Sequence, residues 1–523
     1  KVAASIAFFY RKGQGYFTNV ADNTRCCDYE SGVVRGKLLV EPSDNLKITL
    51  GGYWTSIEDP ANFAAGTNIT GLGLAPSLIA AGFVSPATIP TQPWTVAFNP
   101  SPFLYPDNGP NTTWGAFVRA DLKLGSIDMT SLTGYGERNP GRIAVDIDLT
   151  ALPIVDLYAP TPGRTWTHEF NFSGTHGPLS WVAGLYLYDD KSRGELYING
   201  GAGLVGVVHS RSWAPFAEAN YKLTERLTLT GGLRYSRERK TFDRTFDIAS
   251  TPLTRVDAKS WGSFTPRATL KYQFEPNTMA YFTYSRGFKS GIYTVTSAAT
   301  TPVNPEYLTM YELGFKTKQT AFSFNAAAFY YNYSNLQITQ FTGAGQVTTN
   351  AASARIIGLD VDGTLQLTPD VSITAAGSYL ATAKYLDYVG AVVNIPDPAV
   401  PFGLTSVSAD VSGNRMIRAP KLTVSVSPSY SHEFAVGRIS ASLTGYYNSG
   451  YAHEPLNRIR QGRYFLVNGT LSWMPAGSGL ELVLWGRNLT NKAIASGYVA
   501  ANTADWVVFD PPREIGVSAR VHF

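Results

Sequence analysis

The sequence is poor in charge, in cysteine and in long apolar runs. Only 16% of its 523 residues are charged, whereas soluble domains carry about 25%. No run of about 18 apolar residues is present, which excludes a transmembrane helix. Two cysteines do not make a disulfide scaffold. The formal net charge of +4 is small for this length and argues against a nucleic-acid partner.

The C-terminal segment has a strict alternation of apolar and polar residues. Residues 514–523 alternate strictly between an apolar set and a polar set. The apolar set is Ile515, Val517, Ala519, Val521 and Phe523, and the polar set is Glu514, Gly516, Ser518, Arg520 and His522. Successive side chains of a strand point to opposite faces, and a membrane barrel needs an apolar outside and a polar inside. We therefore predict that the apolar set faces lipid and that Glu514 and Arg520 face the lumen.

Similar alternation recurs along the chain, in segments joined by tight turns at one end and long connections at the other. The tight turns lie at 42–45, 124–126, 175–178, 223–226, 275–277, 368–370 and 475–479. The predicted long connections are 19–28, 59–112, 139–163, 191–208, 243–258, 289–304, 387–413, 453–461 and 495–510. This asymmetry is typical of outer-membrane barrels. We predict an all-β protein, a transmembrane antiparallel β-barrel spanning residues 1–523 with about twenty strands, many projecting above the membrane.

Several segments resemble the barrel of TonB-dependent outer-membrane receptors. They are YSRGFKSG at 284–291, NPEYLTMYELGFK at 304–316, FNAAAFYYNY at 324–333, WGRNLTNK at 485–492 and the terminal strand beginning at Pro512. The resemblance implies a 22-stranded barrel with an N-terminal plug, and this chain would hold its last twenty strands. Because Lys1 opens directly into a strand-like segment, we expect the plug and the first hairpin to lie outside the chain.

The same resemblance implies a location, partners and a function. The protein would lie in the outer membrane of a Gram-negative bacterium, among lipid and lipopolysaccharide. It would bind a scarce solute, a small molecule or an oligomer, and import it with energy from the TonB–ExbB–ExbD complex. The barrel-assembly machinery would read the terminal Phe523. We expect no catalysis of bond chemistry and no cofactor. The alternatives are a passive porin or channel and, third, an enzyme or adhesin on a barrel.

Three of the long connections differ from the rest in composition. Segments 59–112, 387–413 and 495–510 together carry seven aspartates, no lysine or arginine, and many aromatic residues. Aromatic faces attract apolar surface and cations. We take Trp94, Tyr105 and Trp506 as candidate residues for stacking on a neutral or weakly cationic solute. Packing of loop against loop is the other interpretation. A multiply anionic chelate would instead need bases such as Arg142, Arg458 and Arg460.

Cys26 and Cys27 are adjacent and lie in the first predicted loop. Neighbouring Cα atoms are about 3.8 Å apart, short of the usual disulfide range. A bridge between them would stiffen the loop, and the alternatives are pairing outside the chain or free thiols. The six histidines show no metal-ligand spacing, so we expect them on the surface or in the lumen and predict no metal site.

Overall fold

The computed structural model describes most of the chain. The described residues are all except 59–66, 98–109, 142–143, 147–149, 151, 153–155, 200, 247–252, 296–300, 343–344, 351–352, 398, 401–402, 501–503 and 522–523. Tyr105, Arg142 and Phe523 lie outside the described residues. No helix in the described ranges is long and apolar enough to cross a membrane.

Twenty long strands, β1–β20, follow one another through the described ranges. They are Val2–Gly13, Tyr29–Ser43, Leu46–Glu58, Asn111–Leu124, Ile127–Asn139, Gly163–His176, Leu179–Ile198, Gly201–Lys222, Leu227–Phe246, Leu253–Glu275, Thr278–Lys289, Glu306–Lys318, Phe322–Ser334, Ser353–Thr368, Val371–Asp387, Leu422–Phe434, Gly437–Asn448, Tyr464–Pro475, Leu480–Arg487 and Glu514–Val521. Each pairs antiparallel with the next along the chain, from β1/β2 to β19/β20. This confirms the predicted strand number and antiparallel order.

The two faces of the last strand are as predicted. Ile515 and Val517 are 66% and 76% exposed on the outer wall. On the inner wall Arg520 Nη1 lies 3.1 Å from Glu481 Oε2 of β19, and Trp485 Nε1 donates to Ser518 Oγ over 3.1 Å. Lumen-facing polar groups thus pair with one another between strands, through hydrogen bonds and an ion pair, while the apolar side chains face the lipid.

Aromatic side chains form a row on the outer wall, about ten residues from the tight-turn ends of their strands. Trp114, Tyr135 and Trp166 contact one another on β4–β6, with ring centroids 5.2 and 4.5 Å apart. Trp213, Tyr235 and Phe264 do the same on β8–β10, at 5.6 and 4.6 Å. Amphipathic rings favour the boundary between lipid and water. We call these six residues the upper aromatic row, and they indicate where the outer leaflet ends.

Two of the predicted long connections are wrong. Residues 191–208 and 243–258 lie mostly within β7–β10, which are 20, 22, 20 and 23 residues long. A strand needs only about ten residues to cross lipid, so these four continue far above the upper aromatic row. There both faces meet water, the apolar alternation fades, and backbone pairing alone continues the strands.

The long connections contain short elements of their own. These are strands Phe17–Asn19, Thr24–Cys26, Thr67–Gly73, Thr95–Val96, Ala144–Asp146, Asp156–Tyr158, Gln337–Thr342, Gly345–Asn350, Ala391–Pro396, Leu404–Ala409, Tyr451–Ala452, Arg460–Gln461, Ala495–Ala500 and Ala504–Phe509, the helix Leu74–Ala80 and the 3₁₀ turn Pro86–Thr88. Fully buried side chains such as Phe17, Val96, Val507 and Asp505 lie in these loops. The apolar cores of the molecule are therefore outside the membrane.

Candidate functional site

The loop between β19 and β20 joins the other loops into one body. Its hairpin pairs Ala495–Ala500 with Ala504–Phe509. Thr67–Gly73, from the connection between β3 and β4, adds a third antiparallel strand. Two side chains from the first loops also bond to this hairpin: Tyr16 Oη donates to Phe509 O over 3.1 Å, and Trp94 Nε1 donates to Asp510 O over 2.7 Å. We call segments 15–28, 67–97, 414–419, 451–461, 493–500 and 504–510 the loop block.

An apolar core holds one side of the loop block. Phe17, Val96, Trp506 and Val508 are buried together, and the half-buried Trp94 packs against them. Trp506 is only 6% exposed. The structure therefore brings together two of the three candidate stacking residues, in the loop-on-loop packing that the sequence left open as the other interpretation. Their contact with a solute stays a prediction, and Tyr105 lies outside the described residues.

Cys26 and Cys27 are bonded to each other. Cys27 has φ 74°, a left-handed backbone conformation that residues other than Gly, Asn and Asp seldom adopt. Both residues pack against the core of Phe17, Val96, Trp506 and Val508. Asp28 Oδ1 accepts a hydrogen bond from Gly15 N over 3.0 Å across the base of this loop. The vicinal bridge thus supports one wall of the apolar core.

A buried ion pair holds the other side of the loop block. Arg458 Nη1 and Nη2 donate to Asp505 Oδ2 and Oδ1 over 2.6 and 2.9 Å. Asp505 is completely buried, and its hydrogen bonds raise the pKa of Arg458. Bidentate pairing is the geometry that best offsets the cost of burying two charges. A base from one loop therefore neutralises an aspartate of a loop that has no base of its own.

Glu454 fixes the loop that presents Arg458. Its carboxylate accepts from the backbone N–H groups of Leu456 over 2.6 Å and of Ile459 over 3.1 Å, and also from that of Arg458. One buried side chain thus satisfies three backbone donors in a turn that lacks regular structure. The backbone fixed by Glu454 orients the Arg458 guanidinium toward Asp505.

His453 lies at the same junction and is 5% exposed. Its ring lies 5.2 Å from that of Tyr451 and 5.4 Å from that of Tyr498. Neither ring nitrogen has a hydrogen-bond partner among the described residues. Burial, with a smaller effect of Arg418, lowers the pKa of His453 to about 4. The expectation of a surface or lumen histidine is wrong here, because the loops fold over the ring.

Further bonds continue the loop block toward the connection between β15 and β16. Arg418 Nη2 donates to Ser496 O over 2.9 Å. Asn457 Nδ2 donates to Arg415 O over 2.9 Å, and Tyr451 Oη donates to Ala495 O over 3.1 Å. Loops that follow β15, β17 and β19 are therefore tied to one another by side chains that bond to backbone carbonyls.

The loop block is held together by an apolar core, a buried ion pair and hydrogen bonds between loops. No group of three metal-ligating side chains was found in the described ranges. Sequence reasoning missed Glu454 and Arg418, which order the loops from neighbouring connections, and it considered Arg458 only as a base for an anionic chelate. The short segment from His453 to Arg458 carries both charge signs, and this was the signal available in the sequence.

With the barrel and its loops described, comparison with known proteins places the chain in a family. Residues 41–489 match the family model of the TonB-dependent receptor-like β-barrel. The chain belongs to the TonB-dependent receptor family. Its strands accordingly form an outer-membrane β-barrel of the kind found in Gram-negative bacteria.

Individual relatives are distant. The pesticin receptor of Yersinia pestis is 19% identical over 322 residues, which is 61% of this chain and 45% of that protein. The ferric yersiniabactin uptake receptor from Yersinia pestis superposes with a TM-score of 0.78 at 14% identity, covering 100% of this chain and 75% of the other. The siderophore receptor PiuA from Acinetobacter baumannii gives 0.74 at 14%, covering 99% and 77%. These structures establish the fold, and the chain spans less than half of the curated relative.

Proposed function

We propose that this barrel belongs to a transporter that takes up a scarce solute across the outer membrane with energy from the TonB–ExbB–ExbD complex. The family match over residues 41–489 carries the proposal. The loop block supports it, because ordered loops with their own cores suit recognition better than free diffusion through an open mouth. In this proposal the protein catalyses no bond chemistry.

The solute class that we propose is a metal chelate. The titles of structural neighbours name ferric yersiniabactin uptake, ferric-catecholate import, ferric citrate and copper transport. Two features of this chain bear on the choice. Arg458 is occupied by Asp505, while Arg25, Arg418 and Arg460 remain exposed on the loops. Exposed guanidinium groups suit the carboxylate or catecholate oxygens of a chelate.

Transport by the whole receptor tests the proposal. The full-length protein would be produced in a Gram-negative host that lacks its own ferric-chelate receptors, with TonB intact or deleted. Accumulation of ⁵⁵Fe is measured from ferric citrate, a ferric catecholate and a neutral ferric hydroxamate. We expect uptake from one of these, lost without TonB. Uptake that persists without TonB would contradict the energised mechanism, and no uptake from any of them would contradict the chelate class.

The alternative function, a passive pore, predicts a different ion conductance. A porin of this width would conduct ions steadily when the full-length protein is reconstituted in a planar lipid bilayer. An energised receptor would show no steady conductance. The proposed function therefore fails if open-channel currents of porin size are seen.

Contact between the solute and the aromatic loop residues Trp94, Tyr105 and Trp506 is the finer part of the proposal. Trp94 is half-buried at the edge of the apolar core, and the positive φ of 60° at its backbone holds it in a turn. Alanine at all three positions should lower uptake while the amount of folded barrel in the outer membrane stays the same. Undiminished uptake would remove these residues from the solute site.

A further inference from the structure

The outer wall of β6–β9 carries an unusual excess of bases just above the upper aromatic row. Arg164 and Arg211 precede Trp166 and Trp213 by two residues, and Arg237 follows Tyr235 by two. Since β6 and β8 descend from the long connections and β9 ascends toward them, all three bases lie on the extracellular side of the aromatic rings. Two residues of a strand span roughly 7 Å. The bases therefore lie at the level of lipid headgroups.

Cross-strand register places five bases on this one face. Arg164 is opposite Lys191, Arg211 is opposite Arg239, and Trp213 is opposite Arg237. Directly opposed residues of paired strands point to the same side of the sheet. All five bases are exposed. We call them the outer basic patch: Arg164, Lys191, Arg211, Arg237 and Arg239.

Few carboxylates balance the outer basic patch. Asp189 lies opposite Arg211 and is bonded by Arg211 Nε at 3.0 Å and His209 Nε2 at 2.9 Å. Glu137 lies opposite Arg164 and accepts from Tyr135 Oη over 3.1 Å. Among the described residues, no carboxylate lies within ion-pair distance of Lys191, Arg237 or Arg239. Five bases against two acids leave an excess of positive charge.

This arrangement costs the isolated protein free energy. Like charges that lie directly opposite each other on paired strands destabilise a sheet, and both Arg164/Lys191 and Arg211/Arg239 are such pairs. An anion bound between them would relieve the repulsion.

The outer wall is not basic everywhere: above Trp54 of β3, the outward residues are Ser56 and Glu58. Arg286 and Arg355 are outward bases elsewhere, and each stacks on a tyrosine ring, at 4.5 and 5.4 Å.

From this we infer that the outer basic patch is a binding site for the phosphate groups of lipopolysaccharide in the outer leaflet. The upper aromatic row fixes the depth of the site, and exposed outer-wall side chains such as Trp166, Leu187, Trp213 and Phe264 lie beneath it, where acyl chains pack. Arginine binds phosphate through paired N–H donors and several bases together make a charged surface for it. The site is separate from solute uptake, which belongs to the loops and the lumen.

Binding of a defined lipid tests this inference. Delipidated full-length receptor in nonionic detergent would be titrated with bisphosphorylated lipid A, with the same lipid A lacking both phosphates, with phosphatidylglycerol and with inorganic phosphate. Bound lipid is counted by native mass spectrometry. We expect bisphosphorylated lipid A to bind well above the other three. Binding should persist after divalent cations are chelated, because the bases themselves neutralise the phosphates.

Matched variants identify the site. Each base near an anionic membrane surface is expected to strengthen binding about fivefold, so R237Q/R239Q should weaken it about 25-fold. R237K/R239K keeps the charge and should keep most of the binding. K222Q/R226Q makes the same change in charge at exposed positions beside the opposite, tight-turn end of β8 and β9 and should change nothing. Heat-modifiable migration on gels would verify that each barrel is folded.

Several outcomes would overturn the inference. Equal binding of dephosphorylated lipid A would mean that acyl packing alone holds the lipid. Equal affinity for phosphatidylglycerol would mean a general anionic-lipid surface, and saturation by inorganic phosphate would mean a site for free anions. Equal losses in R237Q/R239Q and K222Q/R226Q would mean that the patch has no special role.

Discussion

At the scale of single residues, Asp505 and Arg458 decide whether the loop block stays together. Removing one partner of a buried ion pair leaves an uncompensated charge and costs about 3–5 kcal/mol. We expect Asp505→Asn to release segments 451–461, 495–500 and 504–510 locally, since Asp505 is completely buried. Hydrogen exchange in those segments measures the effect, and barrel assembly should be unchanged. The double variant R458M/D505L, which removes both charges, should restore most of the protection. Normal protection in Asp505→Asn would contradict this account.

His453 gives the same junction a pH dependence. Its pKa is lowered to about 4 in the folded loop, whereas an unperturbed histidine has a pKa of about 6.5. As the pH falls below 6.5, the released loop takes up the proton first, so local stability declines between about pH 6.5 and pH 4. Hydrogen exchange of residues 451–461, corrected for its intrinsic pH dependence, should show this decline. His453→Phe should abolish it, and the exposed turn variant His176→Phe should not. An unchanged pH profile in His453→Phe would refute the assignment.

At the scale of elements, the two walls of β20 respond differently to charge. Val517 faces outward and is 76% exposed, while Ser518 faces inward and accepts a hydrogen bond from Trp485. A base on the lipid wall near mid-membrane costs about 2–4 kcal/mol. Val517→Arg should therefore reduce the amount of folded barrel far more than Ser518→Arg, as measured by heat-modifiable migration of outer-membrane fractions. Equal assembly of both variants would mean that the strand faces are assigned incorrectly.

The strands also show which parts of the fold can be predicted from the sequence. Where lipid lies on one side and water on the other, alternation is strict, and the sequence predicts the faces of β20 residue by residue. Where β7–β10 rise above the membrane, both sides meet water, and segments around Lys191 and Gly201 carry no such pattern. Their pairing depends on backbone hydrogen bonds between neighbouring strands, which composition does not encode.

The candidate site was predictable only in part, for a related reason. The sequence indicated that the loop carrying Trp506 is aromatic and free of bases. It did not indicate that Arg458, from another loop, would reach Asp505, or that Trp94 and Trp506 would share one core. Contacts between loops depend on three-dimensional placement, whereas the composition of a loop is local. Loop composition alone is therefore a weak guide to what the mouth of such a barrel binds.

At the scale of the whole molecule, the sheet curls so that its first and last loops meet. Thr67–Gly73 follows β3, and its partner strand Ala504–Phe509 lies between β19 and β20. This seam has three paired residues in an irregular register, the side-chain bonds of Tyr16 and Trp94, and the apolar core of Phe17, Val96, Trp506 and Val508, but among the described residues no ion pair crosses it. The opposite border has the buried Arg458–Asp505 pair. If the block opens to admit a solute, it should open at the seam.

A reversible crosslink across the seam tests whether the loop block opens there. This prediction rests on the proposed uptake function. Thr67 and Val507 are directly opposed, and such Cα atoms lie about 4.5–5.5 Å apart, within disulfide range. Oxidised T67C/V507C should lose most uptake of ⁵⁵Fe chelate, and a mild reductant should restore it. The matched control S442C/T470C joins two wall strands whose hydroxyls lie 2.8 Å apart; it should transport normally in both states. Full uptake by oxidised T67C/V507C would mean that the solute enters without parting these loops, and loss in both pairs would mean that crosslinking harms the barrel itself.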